Sequence, residues 1–94
     1  VQVAWTAAAI ADLAALRRHL GRRNRAAAKR IAQAILAAVR LLQRSPAIGR
    51  PGRVPGTREL VVTGTPYLVP YRARDNVIEV LRVLHGARRW PDQF

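Results

Sequence analysis

The hydrophobic period changes along the chain, and the changes mark its elements. "VQVAW" at residues 1–5 alternates apolar and polar positions, which predicts a short strand. Thr6 then offers a side-chain N-cap. Ile10, Leu13, Leu16 and Leu20 recur on one broad arc at about 100° per residue, so a helix is expected from Ala7 with Gly21 at its C′ stop. Asn24 can cap a second helix, in which Ala28, Ile31, Ile35, Ala38, Val39 and Leu42 project within roughly 120° of one another; it ends before Ser45-Pro46. The short connection "GRRN" requires the two helices to fold back as an antiparallel hairpin.

"SPAIGRPGRVPGT" at 45–57 places three prolines and three glycines in thirteen residues and is expected to be irregular. After it the period becomes two. "TRELVV" at 57–62, "YLVPYRA" at 67–73 and "VIEVLRVLH" at 77–85 predict three strands, with turns at "TGTP" and "RDN", joined as an antiparallel meander. Pro70 removes a ladder donor, so it belongs at an edge or a bulge. On the last strand Leu81 and Val83 alternate with Ile78, Val80 and Leu84; both faces are apolar, which predicts cover on both sides. The expected order is β-α-α-β-β-β: an α+β fold with a helical hairpin packed on a small antiparallel sheet. Residues 1–94 form a single domain, since a chain this short encloses one core.

Charge changes the picture from fold to partners. Lys plus Arg number 17 against 5 acids, a net +12, and all the cations except Lys29 are arginine, whose planar fork suits phosphate and carboxylate alike. A polyanion or an acidic partner is expected; a solvated surface from an arginine-rich composition is the plain alternative. On the second helix Lys29, Gln33, Arg40 and Arg44 stand opposite the apolar arc, as a solvated face or an anion-binding ridge. The chain has no cysteine, hence no disulfide or thiolate chemistry, and its two histidines do not resemble a metal-ligand pattern. Neither a metal nor a small-molecule cofactor is expected. Charges interrupt every apolar run short of a membrane span and no signal-peptide core leads the chain, so a cytoplasmic location is expected.

"RVLHGARRWP" at 82–91 concentrates the candidate chemistry. His85 reads as a structural ring bonded to backbone beside Gly86, as a partner contact, or as an acid or base. Cleavage of RNA by its 2′-hydroxyl needs a base, an acid and cations on the phosphorane, roles open to His85 with Arg82 and Arg88, and to Arg58. Strand alternation places His85 and Arg82 on opposite faces, against joint action; His85 and several guanidinium groups gathered in one open, nucleotide-sized cleft would overturn the expectation that the arginines grip another macromolecule without bond chemistry of their own. Arg58 either pairs with an acid such as Glu79 across the sheet or contacts a partner. Gly52 and Gly56 read as turn residues, because no helix N-terminus follows them. Tyr67 and Tyr71 alternate onto one face with Val69 and read as core or rim packing more than base stacking. Trp90-Pro91 closes the end of the sheet or anchors a partner. The stretch is read as a structural terminus that presents Arg88 and Arg89.

Trp5 followed by "AAAIADL", the helical hairpin, "SPAIGRPGRVPGTREL", "PYLVPYR" and "VLRVLHGARRWP" together resemble the RelE/ParE superfamily of type II toxin–antitoxin toxins over nearly the whole chain. The resemblance implies a small growth-inhibiting toxin held inactive by a cognate antitoxin, in a toxin–antitoxin hetero-oligomer. One branch resembles RelE, which cuts messenger RNA on the ribosome; the other resembles ParE, which poisons DNA gyrase. Positions where the RelE branch carries two lysines, an arginine, a second arginine and a tyrosine are matched here by Glu59, Val61, Leu68, Arg88 and Phe94. Only the arginine at 88 is kept. Other nuclease branches carry a histidine near His85. "GRVPGTREL" and "HGARRWP" look more like the ParE side.

The leading expectation is a ParE-like toxin that binds gyrase through Arg58, Arg88, Arg89 and Trp90 and is neutralised by an antitoxin with an acidic, amphipathic C-terminal half. The first alternative is a ribosome-dependent endoribonuclease acting on mRNA through His85 with Arg82 or Arg88. A second is a non-enzymatic nucleic-acid-binding module using the stripe of Lys29, Arg40 and Arg44.

Overall fold

The computed structural model describes residues 1–94. Strand β1 (Gln2–Trp5) leads into helix α1 (Ala7–Gly21) and helix α2 (Arg25–Leu41); β2 (Arg50–Pro51), β3 (Arg58–Val61), β4 (Tyr67–Arg74), β5 (Val77–Val80) and β6 (Leu84–His85) follow. Thr6 Oγ1 accepts from the Ala9 N–H, and within hydrogen-bond reach of the same hydroxyl lie the Val80 and Leu81 carbonyls. The cap therefore starts α1 and ties it to the sheet. Asn24 caps α2 by accepting from the Ala27 N–H. Gly21 is the last residue of α1, not its C′, because the helix closes on Arg22 in right-handed geometry. The helix α2 ends at Leu41, so Arg44 lies in the turn beyond it.

The sheet is mixed, in the order β1-β5-β4-β3-β2, with β6 also paired to β4. This corrects the expectation of a purely antiparallel sheet: β1 runs parallel to β5, from Gln2 opposite Val77 to Trp5 opposite Val80. The two helices and strands β2, β3 and β4 all lie between β1 and β5 in the chain, a connection long enough for a parallel pair. The segment 45–57 also contains regular structure, since Arg50 and Pro51 pair with Glu59 and Arg58. Asp75 and Asn76 both adopt positive φ between β4 and β5, the two-residue turn whose twist suits a hairpin.

The predicted last strand is observed as two pieces. Tyr71 faces Val80 but Leu68 faces Leu84, so residues 81–83 contain one residue more than the segment of β4 opposite them. This is a bulge, and it sits against Pro70, which has no N–H to offer; Pro70 accepts from the Leu81 N–H instead. Ile31, Ile35, Val39 and Leu42 from the helical side meet Val69, Tyr71, Ile78, Val80 and Val83 from the sheet in one core. No helix is long and apolar enough to cross a membrane.

Candidate functional site

The bulge directs Arg82 toward the helices. Arg82 Nε lies 2.6 Å from Asp12 Oδ2 and Nη2 lies 3.0 Å from Oδ1, a bidentate pair, while the Val83 N–H donates to the same Oδ2 at 3.0 Å. Asp12 thus completes the backbone group that the bulge leaves without a strand partner. The hydrogen bond to Asp12, against some desolvation, raises the Arg82 pKa above the ordinary arginine range. The resulting stability is complete below the unfolded arginine pKa and is lost only as pH climbs through the still higher folded value. Around neutrality this contribution does not vary with pH. Arg82 is a structural clamp between α1 and the sheet.

Three side chains fasten the Pro/Gly-rich segment to the sheet. Tyr71, fully buried, donates its hydroxyl proton to Pro46 O at 2.7 Å and accepts from the Gly49 N–H at 2.9 Å. A β-carbon at Gly49 would stand 2.6 Å from the Tyr71 ring, so only glycine fits there. Arg58 donates to the Gly49 carbonyl at 2.8 Å, and Ala47 O lies 3.4 Å away. The expected Arg58–Glu79 pair does not form, because Glu79 stands on β5, beyond β4, and faces Arg72 and Arg74. Glu59, 2% exposed, accepts from the Arg53 N–H at 2.8 Å and pairs with the Arg50 and Arg53 guanidinium groups at 3.2 and 3.5 Å.

That network reaches the C-terminus. The Arg53 guanidinium carbon lies 3.7 Å above the Trp90 ring, a cation–π contact, and the Trp90 indole N–H donates to the His85 carbonyl at 3.1 Å. The Arg88 N–H donates to the same oxygen. His85 Nδ1 accepts from the Ala87 N–H at 3.1 Å, which assigns the proton of the neutral ring to Nε2; the ring meets Tyr67 edge-on at 5.5 Å. Residues 86–90 are therefore folded back around His85, with the ring bonded to backbone beside Gly86.

One open cleft of about 280 Å³ lies between α1 and this terminus, lined by residues that include Asp12, His19, Tyr67, His85, Arg88 and Arg89. Of the residues singled out along the sequence, it gathers His85, Arg88 and Arg89. Arg82 is held against Asp12, while Arg58 and Trp90 belong to the loop and terminus network. The arrangement that would overturn a purely docking role is present in part: Arg88, Arg89 and His85 share this opening, without Arg82 or Arg58. His19 and Asp12 are the additions that the sequence reading missed. Their spacing with Leu16, at i, i+4 and i+7, places all three on one helix face, the mark that would have found them. Lys29 and Arg40 are exposed on α2 and Arg44 is exposed beyond it.

Comparisons with known proteins bear on the family and the fold. The family model for the ParE toxin of type II toxin–antitoxin systems, parDE, matches residues 3–90. "Putative toxin Y4kP" of Sinorhizobium fredii (strain NBRC 101917 / NGR234) is 40% identical over 91 residues, covering 96% of this chain and 93% of that protein. "Toxin RelE2" of Caulobacter vibrioides (strain ATCC 19089 / CIP 103742 / CB 15) is 38% identical over 87 residues, covering 93% of this chain and 97% of that one. A chain of the "Chromosomal ParDE TA system from P. aeruginosa" superposes with a TM-score of 0.84 at 32% identity, covering 90% of this chain and 95% of that chain. With its mixed sheet, its helical hairpin and nearly its whole length matched, the chain belongs to the ParE toxin family of type II toxin–antitoxin systems.

Proposed function

We propose that this toxin arrests growth in the cytoplasm by binding and poisoning DNA gyrase, with Arg88 and Arg89 as its principal free contacts. The observation that carries the reading is the state of Glu59, Val61 and Leu68, which stand where the RNA-cleaving branch of the superfamily carries cations. Glu59 is a buried carboxylate neutralised by Arg50 and Arg53, Leu68 is buried in the sheet, and Val61 is an exposed aliphatic. None of the three offers a cation for a developing phosphorane charge. Arg88 and Arg89 are exposed beside the half-buried Trp90, a combination suited to docking on a protein surface. Arg58 and Trp90 contribute by holding that surface in shape. An acidic, amphipathic segment of the cognate antitoxin would neutralise the toxin by covering the same cations. In a purified supercoiling assay the toxin is expected to inhibit gyrase and to trap cleaved DNA, with Arg88→Ala/Arg89→Ala strongly reducing both. Unchanged gyrase activity at growth-inhibiting doses would refute the proposal.

The cleft shared by His19, His85, Arg88 and Arg89 favours a second reading, a ribosome-dependent endoribonuclease, and one relative carries the name RelE2. Mapping mRNA 5′ ends in cells expressing the wild type and His85→Ala separates the two. Codon-positioned cuts that vanish in the variant would replace the gyrase reading with this one.

A further inference from the structure

The tip of the helical hairpin holds a concentration of cations that neither the core nor the terminal cleft uses. Arg17 and Arg18 from α1, Arg22 at its C-terminal cap, and Arg25 and Lys29 from α2 line one open depression of about 740 Å³, whose remaining walls are Gly21 and Ala28. None of the five makes an ion pair; the three carboxylates that do, Asp12, Glu59 and Glu79, pair with Arg82, Arg50, Arg53, Arg72 and Arg74. Two like-charged i, i+4 pairs, Arg18 with Arg22 and Arg25 with Lys29, repel along the helix faces. Arg25 also opens α2, where the macrodipole disfavours a cation and the first turn has no acid. Arg18 and Arg22 are accommodated by the C-terminal end of α1, where the macrodipole favours cations. The mutual repulsion of the five, and the placement of Arg25, remain unrelieved within the chain, and a polyanion would relieve both.

We infer that this tip binds the phosphodiester backbone of duplex DNA, without regard to sequence. The chemistry of the depression separates this occupant from others. A single-stranded nucleic acid is gripped by stacking on aromatic rings, and the hairpin from Ala7 to Leu41 contains no Phe, Tyr or Trp. An acidic peptide or amphipathic helix needs apolar anchors beside its charges, and Ala28 is the lone hydrophobic side chain in the lining. Five exposed cations from two helix ends, with no hydrophobic side chain but Ala28 among them, suit regularly spaced phosphates. The contact is independent of which macromolecule the toxin poisons and of the terminal cleft.

The test uses the purified free toxin and a fluorescein-labelled, mixed-sequence duplex of about two helical turns, with anisotropy followed across a salt series. Wild type is compared with Arg22→Gln/Arg25→Gln and with Gln2→Glu/Arg74→Gln, which lowers the net charge equally at the sheet corner beside the Asp75–Asn76 turn. The tip variant is expected to weaken binding about tenfold or more and to flatten the slope of log affinity against log salt by about two; the corner variant should change affinity less than about threefold. Circular dichroism and melting confirm that both variants are folded. Equal losses in the two variants would mean that only net charge matters, and would overturn the assignment. So would competition by polyglutamate or phosphatidylglycerol vesicles as effective as unlabelled duplex at equal charge, or no binding by the wild type at all.

Discussion

Arginine does opposite work in the two halves of this molecule. On the sheet, Arg50, Arg53, Arg72, Arg74 and Arg82 face carboxylates and Arg58 donates to loop carbonyls. On the hairpin, Arg17, Arg18, Arg22, Arg25 and Lys29 surround an open depression with no carboxylate partner. Even Asp12, the acid of the hairpin, is drawn away to Arg82 on the sheet side. A side chain whose charge is met by a nearby acceptor fixes structure; the same side chain left unmet raises a field that only another molecule can neutralise. Net charge alone does not distinguish the two.

Substitutions that remove a sheet-side partner should hurt folding, whereas those at the hairpin tip should spare it. The largest effect is expected for Glu59→Ala, which takes away the buried acceptor of the Arg53 N–H and of two guanidinium groups. A loss of about 2–4 kcal/mol is expected, read as a melting-temperature drop on the order of 10–20 °C. Asp12→Ala leaves Arg82 and the bulge N–H of Val83 without their acceptor and should cost about 2–3 kcal/mol in urea unfolding. Arg58→Ala removes donation to Gly49 O and should cost about 1 kcal/mol, with faster proteolysis of the 45–57 segment as its local readout. The smallest change belongs to Arg22→Gln/Arg25→Gln, within about 0.5 kcal/mol of the wild type, because relief of like-charge repulsion and of the α2 dipole penalty at Arg25 is offset by loss of the favourable Arg22 at the C-terminal end of α1. A tip variant destabilised as much as Asp12→Ala would erase the distinction between the halves.

The terminal stretch shows how far local pattern reaches. Trp90 as a clamp and His85 as a ring bonded to backbone were legible because Gly86 and Pro91 bracket a short turn at the end of a strand. The fate of Arg82 was not. Simple alternation assumed an unbroken strand from 77 to 85, and the bulge opposite Pro70 breaks that count, as the proline itself warned. His19 was invisible as a neighbour of His85, since only the docking of α1 against the sheet brings residues so distant in the chain to one cleft. Of the two expectations for Arg58, the pair with Glu79 fails for the same reason: strand order decides which carboxylate lies within reach, and Glu79 is one strand too far.

Local chemistry along the chain settled the two helices and their Thr6 and Asn24 caps, the turn at Asp75-Asn76, the site of the bulge-compatible proline and the excess of cations. Each of these depends on interactions within a few residues, where side-chain shape and backbone preference act without help. The tertiary structure alone decided that β1 runs parallel to β5, that Asp12 holds the bulge, that the Pro/Gly segment contains a paired strand, and which arginines remain free. Those outcomes depend on contacts between residues far apart in sequence, and their energies arise only when the core has brought the partners together.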